Sequence, residues 1–361
     1  MEVQAAVLHR KGEAFKIEPV TLDEPKTGEM LVRIVASGIC STDIHIQHQE
    51  YFFPLPAVLG HEGAGIVEEV GPGVNDVHPG DHVVLGYAFC GECPPCLSGA
   101  PFDCDRYGEL NFGGRMADGS TRLHQHGRDL AVLFGQASFG TRAVVNRNNI
   151  VKVDRRLDLK LLGPLGCGVQ TGAGTVLNHF RAEAGSSIAV FGAGAVGLSA
   201  VMAARVAGCG VIVVTDVRDH RLTLAQELGA THVLNPGKVD VATEIRRIAG
   251  GGVAYALEAS GHAAVGLQAV QSLAAGGKLA YVSAYPALTG VEKAHLRSLT
   301  ITGIVEGDSV PGVFIPRLLE LYAAGEFPFD RLIRVYPLAE INQAVADAQN
   351  GVTVKPVIVM P

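Results

Sequence analysis

The feature that most constrains this chain is a strand, a glycine turn and an apolar helix in succession, SSIAVFGAGAVGLSAVMAARVAG. Gly192, Gly194 and Gly197 have the spacing of a dinucleotide fingerprint, in which glycines let the backbone approach a pyrophosphate. Val196 lies in the same turn and belongs to the predicted cofactor site. A second buried strand, GVIVVTD, ends at Asp216, about 20 residues further on, as this fingerprint requires. The segment therefore predicts a nucleotide-binding βαβ unit.

The residues after the second strand bear on the choice of cofactor. A carboxylate at Asp216 can hold the adenosine ribose hydroxyls of NAD, and it repels the 2′-phosphate of NADP. Arg218 and Arg221 follow closely and would favour NADP if they reached that phosphate. The acidic residue favours NAD, and Arg221 is included among the predicted cofactor contacts.

The same half of the chain predicts an α/β architecture. The segments THVLN, VAYALEASG, GKLAYVSA and LTITGIV follow the first two strands, and helical stretches such as RLTLAQELG separate most of them. Six strands with crossovers predict a complete doubly wound parallel sheet. The first ~155 residues, rich in Gly, Pro and strand patterns, predict a domain of a different kind.

Composition limits the class of protein. The 361 residues are too many for one comfortable core, and 48% hydrophobic with 18% charged residues is typical of a globular protein. No run of about 18 apolar residues is free of charges or turn signals, so a membrane span is not predicted. The segment MEVQAAVLHRKGEAF lacks the apolar core of a signal peptide. We therefore expect a cytoplasmic protein without a membrane partner. The net charge of −7 gives no basic excess, so we expect a small-molecule substrate and no nucleic-acid partner.

The stretch FCGECPPC places Cys90, Cys93 and Cys96 close together, and Cys104 follows. Gly and Pro fill this segment, so a regular helix or strand does not order it. Four cysteines at this spacing can wrap a tetrahedral zinc ion, and an iron–sulfur cluster is the alternative. We favour a closed structural zinc. A closed site has no open position for substrate, so the chemistry lies elsewhere.

Cys40, His61 and Cys167 lie in three separate glycine-containing contexts. Cys40 follows the alternating strand LVRIVAS and precedes STD, which is typical of a helix start. His61 lies in VLGHEGAGIVEEVG, and Cys167 lies between two glycines in LGPLGCGVQTGAGTV. Each residue alone is more often structural than a metal ligand.

Taken together, these motifs match a known family. GHEGAGIVEEVGPGV, the cysteine cluster, LGCGVQTGAGTV and the glycine turn occur in the order found in zinc-dependent medium-chain alcohol dehydrogenases. The chain resembles that family over nearly its whole length. GQASFGTRAVV and EGDSVPGVFIPRLLELYAAGEFPFDRLI resemble the aryl-alcohol (benzyl-alcohol) dehydrogenases most. The resemblance implies an oxidoreductase that transfers hydride between an alcohol and NAD.

The resemblance implies a catalytic zinc held by Cys40, His61 and Cys167, and hence two zinc ions per chain. Asp43 is expected to accept a hydrogen bond from the far nitrogen of His61 and to fix its tautomer. Glu62 is expected behind the metal, as an occasional ligand or an electrostatic tuner, with a solvated charge as the alternative.

A proton relay is implied as well. Thr42 is expected to take the alcohol proton, and His45 to pass it to solvent. His48 is the alternative terminal base, and surface decoration is the alternative for both imidazoles. Ser41 stands where some members carry a basic residue that faces the pyrophosphate, so weaker cofactor binding is expected.

In domain terms, the resemblance implies a GroES-like β-barrel catalytic domain over residues 1–160, with a structural zinc lobe at about 88–110. A Rossmann NAD-binding domain is expected over 161–305, followed by a return to the catalytic domain over 306–361. Pairing of the last cofactor-sheet strand with its twin implies a homo-oligomer, with a tetramer favoured over a dimer.

The favoured substrates are primary aromatic or allylic alcohols, oxidised reversibly to aldehydes. In HQEYFFPLPAV, the rings of Tyr51, Phe52 and Phe53 are expected near the mouth of the site, with core packing an equal alternative. A medium-chain dehydrogenase for aliphatic, terpene or polyol substrates is the alternative function. A non-catalytic nucleotide-binding structural protein is a remote one.

Overall fold

The computed structural model describes residues 1–282 and 298–361. The strands are β1 (Glu2–Leu8), β2 (Lys16–Leu22), β3 (Glu29–Gly38), β4 (Ala57–Val58), β5 (Glu62–Val70), β6 (His82–Leu85), β7 (Leu123–Gln125), β8 (Arg128–Asp129), β9 (Ala131–Val132), β10 (Arg142–Asn146), β11 (Ile150–Val153), β12 (Ser187–Phe191), β13 (Val211–Thr215), β14 (His232–Leu234), β15 (Val253–Glu258), β16 (Leu273–Tyr281), β17 (Thr300–Gly303), β18 (Ile333–Pro337) and β19 (Lys355–Val359). The last two residues of the predicted strand GKLAYVSA, 283 and 284, lie outside the described residues.

The helices alternate with strands mainly in the second half of the chain. They are α1 (Ser41–Gln47), α2 (Pro94–Leu97), α3 (Tyr107–Phe112), α4 (Leu159–Leu162), α5 (Gly168–Gly174), α6 (Ala195–Val206), α7 (Asp219–Leu228), α8 (Val241–Ile248), α9 (Ala263–Ser272), α10 (Pro311–Ala323) and α11 (Ile341–Gln349). A π-helical turn, Thr175–Phe180, follows α5. Within residues 1–282 and 298–361, no helix combines the length and apolarity needed to cross a bilayer.

The chain divides into two compact units. The first unit comprises Met1–Cys167, Val310–Pro316 and Asp330–Pro361, and the second comprises Gly168–Ser309 and Arg317–Phe329. The first boundary therefore follows Cys167, slightly later than the predicted residue 160. The predicted return from residue 306 differs in a second way, because α10 contributes its early residues to the first unit and its later ones to the second.

The first unit is built from two mainly antiparallel sheets. One sheet has the order β8-β7-β2-β1-β4-β9, and the other has the order β11-β6-β5-β3-β19-β18 with β10 also paired to β3. Both sheets contribute apolar side chains to one core, which includes Val7, Met30, Val83 and Ile358. The second sheet carries the candidate site.

The second unit contains the predicted parallel sheet. Its six strands have the order β14-β13-β12-β15-β16-β17, and every neighbouring pair is parallel, which confirms the Rossmann prediction. The central strands β12 and β13 are apolar runs because a parallel sheet with helical crossovers is covered on both faces. The order reverses beside β12, and the glycine turn follows that strand.

Three strand ends bring distant parts of the first unit together. β3 ends at Gly38, which pairs with Glu62 at the start of β5 and with Val357 in β19. Cys40 follows β3 as the N-terminal cap of α1. Residues just outside these strand ends therefore meet although they are far apart in sequence.

A buried ion pair generates a prediction for the first unit. Arg122 is 1% exposed and donates two hydrogen bonds, of 2.9 and 2.6 Å, to the carboxylate of Glu29. Glu29→Ala removes this partner and leaves the buried guanidinium with Asp118, at 2.9 Å, so it should lower the free energy of unfolding by about 1.5–3 kcal/mol. Glu244→Ala, which breaks a solvent-screened pair with Arg247, should leave it nearly unchanged. Urea titration of both variants checks this, and equal effects would contradict it.

Candidate active site and metal centres

Four potential metal ligands meet in the first unit: Cys40, His61, Glu62 and Cys167. One ligand atom from each lies within 4.8 Å of the others. His61 and Glu62 are fully buried, Cys167 is buried and Cys40 is half-buried. Nε2 of His61 is buried and has no hydrogen-bond partner among the described residues. An unpaired imidazole nitrogen beside two sulfurs fits a cation bound by two cysteines and one histidine.

Asp43 fixes the ring of His61. Its Oδ1 accepts hydrogen bonds from Nδ1 of His61 at 3.3 Å and from the amide of Gly60 at 3.0 Å. Its Oδ2 accepts the amide of Cys40 at 2.9 Å, and the side chain is 1% exposed in the first turn of α1. Phe134 stacks on the imidazole with ring centroids 4.6 Å apart. Nδ1 therefore faces the carboxylate, and Nε2 is left as the ligand atom.

The neighbours of Cys40 favour the ionised form of its thiol. A hydrogen bond with Cys167 holds the pKa of Cys40 well below its usual value, and His61 and Lys355 add to this effect against burial. Burial lowers the pKa of His61, but Asp43 and Cys40 outweigh it and raise that pKa well above its usual range. His61 would have to lose its imidazole proton to hold a metal ion, because a ligating histidine is neutral.

Glu62 is held by a lysine from the far end of the chain. Lys355 Nζ donates to both carboxylate oxygens, at 2.8 and 2.9 Å, and to the carbonyl of Ile39 at 3.0 Å. Both side chains are buried, at 0% and 3% exposure. Burial is the largest cause that raises the pKa of Glu62, and Lys355 opposes it. Burial lowers the pKa of Lys355, but the charges of Glu62 and Cys40 raise it above its usual value.

Helix α1 carries the predicted relay residues. Thr42 Oγ1 lies 3.8 Å from Cys40 Sγ, and His45 lies one turn further along the helix. Nδ1 of His45 lies 2.5 Å from a carboxylate oxygen of Glu50, whose pKa is lowered mainly by this hydrogen bond. His48 Nε2 instead faces Gln349 Nε2 at 2.9 Å. The two histidines thus have different partners.

The second cysteine group lies in its own lobe of the first unit. Sulfurs of Cys90, Cys93, Cys96 and Cys104 all lie within 4.8 Å of one another, and each cysteine is free. The amide of Cys93 donates to Cys90 Sγ at 3.3 Å, and the amide of Cys90 donates to Cys104 Sγ at 3.3 Å. Amides aimed at sulfur stabilise thiolates.

The charges of this group also fit a cation. Burial opposes ionisation of Cys90, but amide hydrogen bonds from Glu92 and Cys93 lower its pKa to about 7. Burial raises the pKa of Cys96 to about 12. Such crowded sulfurs do not ionise together without a positive charge between them, so the donors fit a closed four-cysteine metal site.

The glycine turn of the second unit lies between β12 and α6. A Cβ on Gly197 would lie 1.8 Å from the carbonyl oxygen of Gly192, so this close approach requires glycine. A Cβ on Gly194, the N-terminal cap of α6, would meet nothing within 4 Å. Val196 lies in the first turn of the same helix. The open space at a helix N-terminus fits a pyrophosphate.

Asp216 and Arg221 flank this turn. Asp216 accepts the amide of Ala193 at 2.8 Å and the amide of Arg218 at 2.9 Å. Nε of Arg221 is buried and lacks a hydrogen-bond partner in the described part of the chain. Burial is the main cause that lowers the pKa of Arg221, and Asp216 opposes it. An unpaired guanidinium nitrogen next to a carboxylate fits the ribose end of a dinucleotide.

Comparisons with known proteins agree with this geometry. Residues 26–155 match the family model described as "Alcohol dehydrogenase GroES-like domain", and residues 195–324 match "Zinc-binding dehydrogenase". A geraniol dehydrogenase of Castellaniella defragrans is 43% identical over 99% of this chain and 98% of its own length. The chain belongs to the zinc-dependent medium-chain alcohol dehydrogenases.

Solved structures of this dehydrogenase family are similar over the whole chain. The benzyl alcohol dehydrogenase of Acinetobacter calcoaceticus is 43% identical, with a TM-score of 0.96 and 100% of both chains covered. An alcohol dehydrogenase zinc-binding domain protein of Burkholderia ambifaria is 50% identical, with the same TM-score of 0.96, over 100% of this chain and 99% of its own. The GroES-like assignment of the first unit is thereby confirmed.

In this dehydrogenase, the structure brings the predicted ligand residues together, and it adds contacts to them that the sequence did not indicate. Lys355, Glu50 and Phe134 were absent from the predicted site, although each contacts a predicted residue. One pattern would have identified Lys355: it is the charged residue in the otherwise apolar strand KPVIV, and a lysine is rarely buried without a partner. Glu50 and Phe134 follow no comparable pattern.

The three aromatic residues expected near the mouth of the site have different surroundings. Tyr51 packs on His45, with ring centroids 4.8 Å apart. Phe52 is 85% exposed, whereas Phe53 is 1% exposed and lies in the core of the first unit. Of the three, Tyr51 alone contacts a predicted catalytic side chain within the described residues.

The Glu62–Lys355 pair generates a prediction for the metal centre. Lys355→Met leaves the carboxylate of Glu62 buried without its cation and should lower the free energy of unfolding by about 3–5 kcal/mol. The double variant Lys355→Met/Glu62→Gln should recover part of this loss, because the remaining side chain is neutral. Lys238→Met, which breaks an exposed pair with Asp219, is the control and should leave the free energy of unfolding nearly unchanged. Denaturant titration measures all three, and the prediction fails if the double variant is the least stable.

Proposed function

We propose that this dehydrogenase oxidises primary aromatic or allylic alcohols reversibly to aldehydes, with NAD as the hydride acceptor and two zinc ions per chain. The observation that carries the proposal is the buried, unpaired Nε2 of His61 beside the sulfurs of Cys40 and Cys167. A buried imidazole nitrogen without a hydrogen-bond partner beside two sulfurs suits an open metal site.

The residues around this metal site would bind the ion, orient the imidazole of His61 and balance the charge of Glu62. When bound by Cys40, His61 and Cys167, zinc supplies a Lewis acid that lowers the pKa of an alcohol. Asp43 orients the imidazole through its Oδ1, and Lys355 neutralises Glu62 behind the ligands. The four sulfurs of Cys90, Cys93, Cys96 and Cys104 form a closed group, and we assign them a structural zinc.

The proton of the alcohol needs a route to solvent. The hydroxyl of Thr42, which lies next to Cys40, accepts it and releases its own proton towards His45, which passes a proton to solvent from the following turn of α1. Glu50 holds Nδ1 of His45, which leaves Nε2 to accept the proton. His48 is the weaker candidate, because its Nε2 faces Gln349.

NAD is favoured over NADP by the surroundings of the glycine turn. Asp216 accepts hydrogen bonds from two amides, so its carboxylate is fixed beside the turn and would repel a 2′-phosphate. We assign Arg221 and Gly192, Gly194, Val196 and Gly197 to the same dinucleotide site. The space beside Gly194 supports the position of the pyrophosphate.

The substrate class rests on the relatives. One relative is named for geraniol, an allylic alcohol, and a similar structure is named for benzyl alcohol. Both names describe a primary alcohol next to a π system, which favours this class over ethanol or polyols. A dehydrogenase for aliphatic alcohols is the second candidate, since Phe53 belongs to the core and adds no ring for stacking.

Steady-state kinetics test the substrate class. Benzyl, cinnamyl and geranyl alcohols should each exceed ethanol and sorbitol by at least tenfold in kcat/KM, which corresponds to about 1.4 kcal/mol of transition-state binding. Formation of NADH at 340 nm, the nicotinamide absorbance band, is the measurement. A tenfold advantage for ethanol or sorbitol would refute the substrate class, and no reduction of NAD with any alcohol would refute catalysis.

The two metal groups should respond differently to substitution. Cys40→Ala should retain about one zinc ion and still bind NAD, because its fold does not depend on the lost ion. Its kcat should fall by orders of magnitude. Cys93→Ser should lose soluble protein and thermal stability, since structural zinc can contribute about 10 kcal/mol to folding. Cys209→Ala, a buried cysteine outside both groups, is the control and should keep about two zinc ions and full activity. Iron in place of zinc in mass spectrometry, or an active Cys40→Ala, would contradict this division.

We also propose a homo-oligomer, with a tetramer favoured over a dimer. β17 is the last strand in the order of the six-stranded sheet, so pairing with a second copy would extend the sheet at that edge.

A further inference from the structure

A short loop of the second unit, residues 306–309, contacts the segment 168–180 at two places. We call this loop the clasp. At one end, the carboxylate of Glu306 accepts hydrogen bonds from Gln170 Nε2 at 3.2 Å and Thr171 Oγ1 at 3.4 Å. At the other end, a carboxylate oxygen of Asp308 lies 2.7 Å from His179 Nδ1. Glu306 is 6% exposed, so its charge is buried against α5.

The backbone of the clasp has an uncommon conformation. Glu306, Gly307 and Asp308 have φ values of 50°, 68° and 48°, which is the left-handed region that residues other than glycine rarely occupy. A Cβ on Gly307 would lie 2.5 Å from the carbonyl oxygen of Gln170. The clasp therefore rests directly on the backbone of α5. Such strain persists where contacts hold it, and it concentrates at functional sites.

Helix α5 connects the clasp to the glycine turn. A Cβ on Gly172 would lie 2.0 Å from the carbonyl oxygen of Val196, so α5 and the first turn of α6 touch backbone to backbone. The first turn of α6 presents its amides to the pyrophosphate position. A shift of α5 is therefore transmitted to the cofactor-binding turn without an intervening side chain.

We propose that Glu306 is a positioning residue for the dinucleotide. It holds α5 through Thr171 and Gln170, and α5 holds the turn at Val196 in the shape that receives the pyrophosphate. A buried carboxylate costs desolvation that an apolar side chain would avoid, and the left-handed conformations of Glu306 and Asp308 add to that cost. The inference rests on the proposed use of a nicotinamide dinucleotide, and it adds a residue remote from the glycine turn in sequence.

Nucleotide titrations of the full-length protein test the inference. Glu306→Ala removes both acceptor contacts to α5 and should raise the Kd of NAD about tenfold, within the range expected for lost charge-assisted hydrogen bonds. The Kd of ADP should rise by the same factor, because the path ends at the pyrophosphate position and not at the nicotinamide. Glu306→Gln keeps one acceptor oxygen and should bind both nucleotides within about threefold of the unsubstituted protein.

Glu320→Ala, at an exposed position of α10, is the matched control and should leave both Kd values unchanged. Each Kd is referred to the folded fraction, measured by circular dichroism, so that loss of fold is separated from loss of positioning. Unchanged Kd values for Glu306→Ala, or equal losses in Glu306→Ala and Glu306→Gln, would overturn the inference. Absence of NAD binding in the unsubstituted protein would refute the proposed function itself.

Discussion

The candidate metal centre of the first unit depends on the neutralisation of a buried carboxylate. Glu62 is fully buried next to two cysteine sulfurs, and three negative groups in an apolar interior would repel one another. Lys355 supplies the compensating charge from a position 293 residues later in the sequence. The pairing of β19 with β3 places the lysine there, so the last strand of the chain is part of the site as well as part of the sheet.

One short helix concentrates much of the remaining machinery. Cys40 caps α1, Asp43 lies in its first turn and His45 lies in its last turn, so three predicted site residues lie on or next to one short helix. The cap is reciprocal, because Asp43 accepts the amide of Cys40 while it also accepts Nδ1 of His61. The carboxylate that caps the helix therefore also orients the imidazole of His61.

Local patterns in the sequence predict the parts of the molecule that local forces determine. The parallel sheet follows from apolar runs and crossovers, and the glycine turn follows from its spacing. The cysteine lobe is equally local. Lys355, Glu50 and Glu306 are different, because their roles come from contacts made only after the chain has folded. The apolar strand KPVIV sets Lys355 apart, but the composition around Glu50 and Glu306 gives little reason to choose either carboxylate over its neighbours.

The two sulfur groups differ in how far apart their members lie along the chain. The four cysteines of the lobe lie within residues 90–104. The other group joins residues 40, 61 and 167, and its Glu62 is paired with Lys355. Short separations close quickly, and long ones must wait for the intervening chain. During translation, the four cysteines of the lobe can therefore come together before most of the chain has been synthesised. The candidate active site is complete only after the strand that carries Lys355 has been synthesised. A product truncated before that strand would therefore contain the four-cysteine lobe but an incomplete candidate active site.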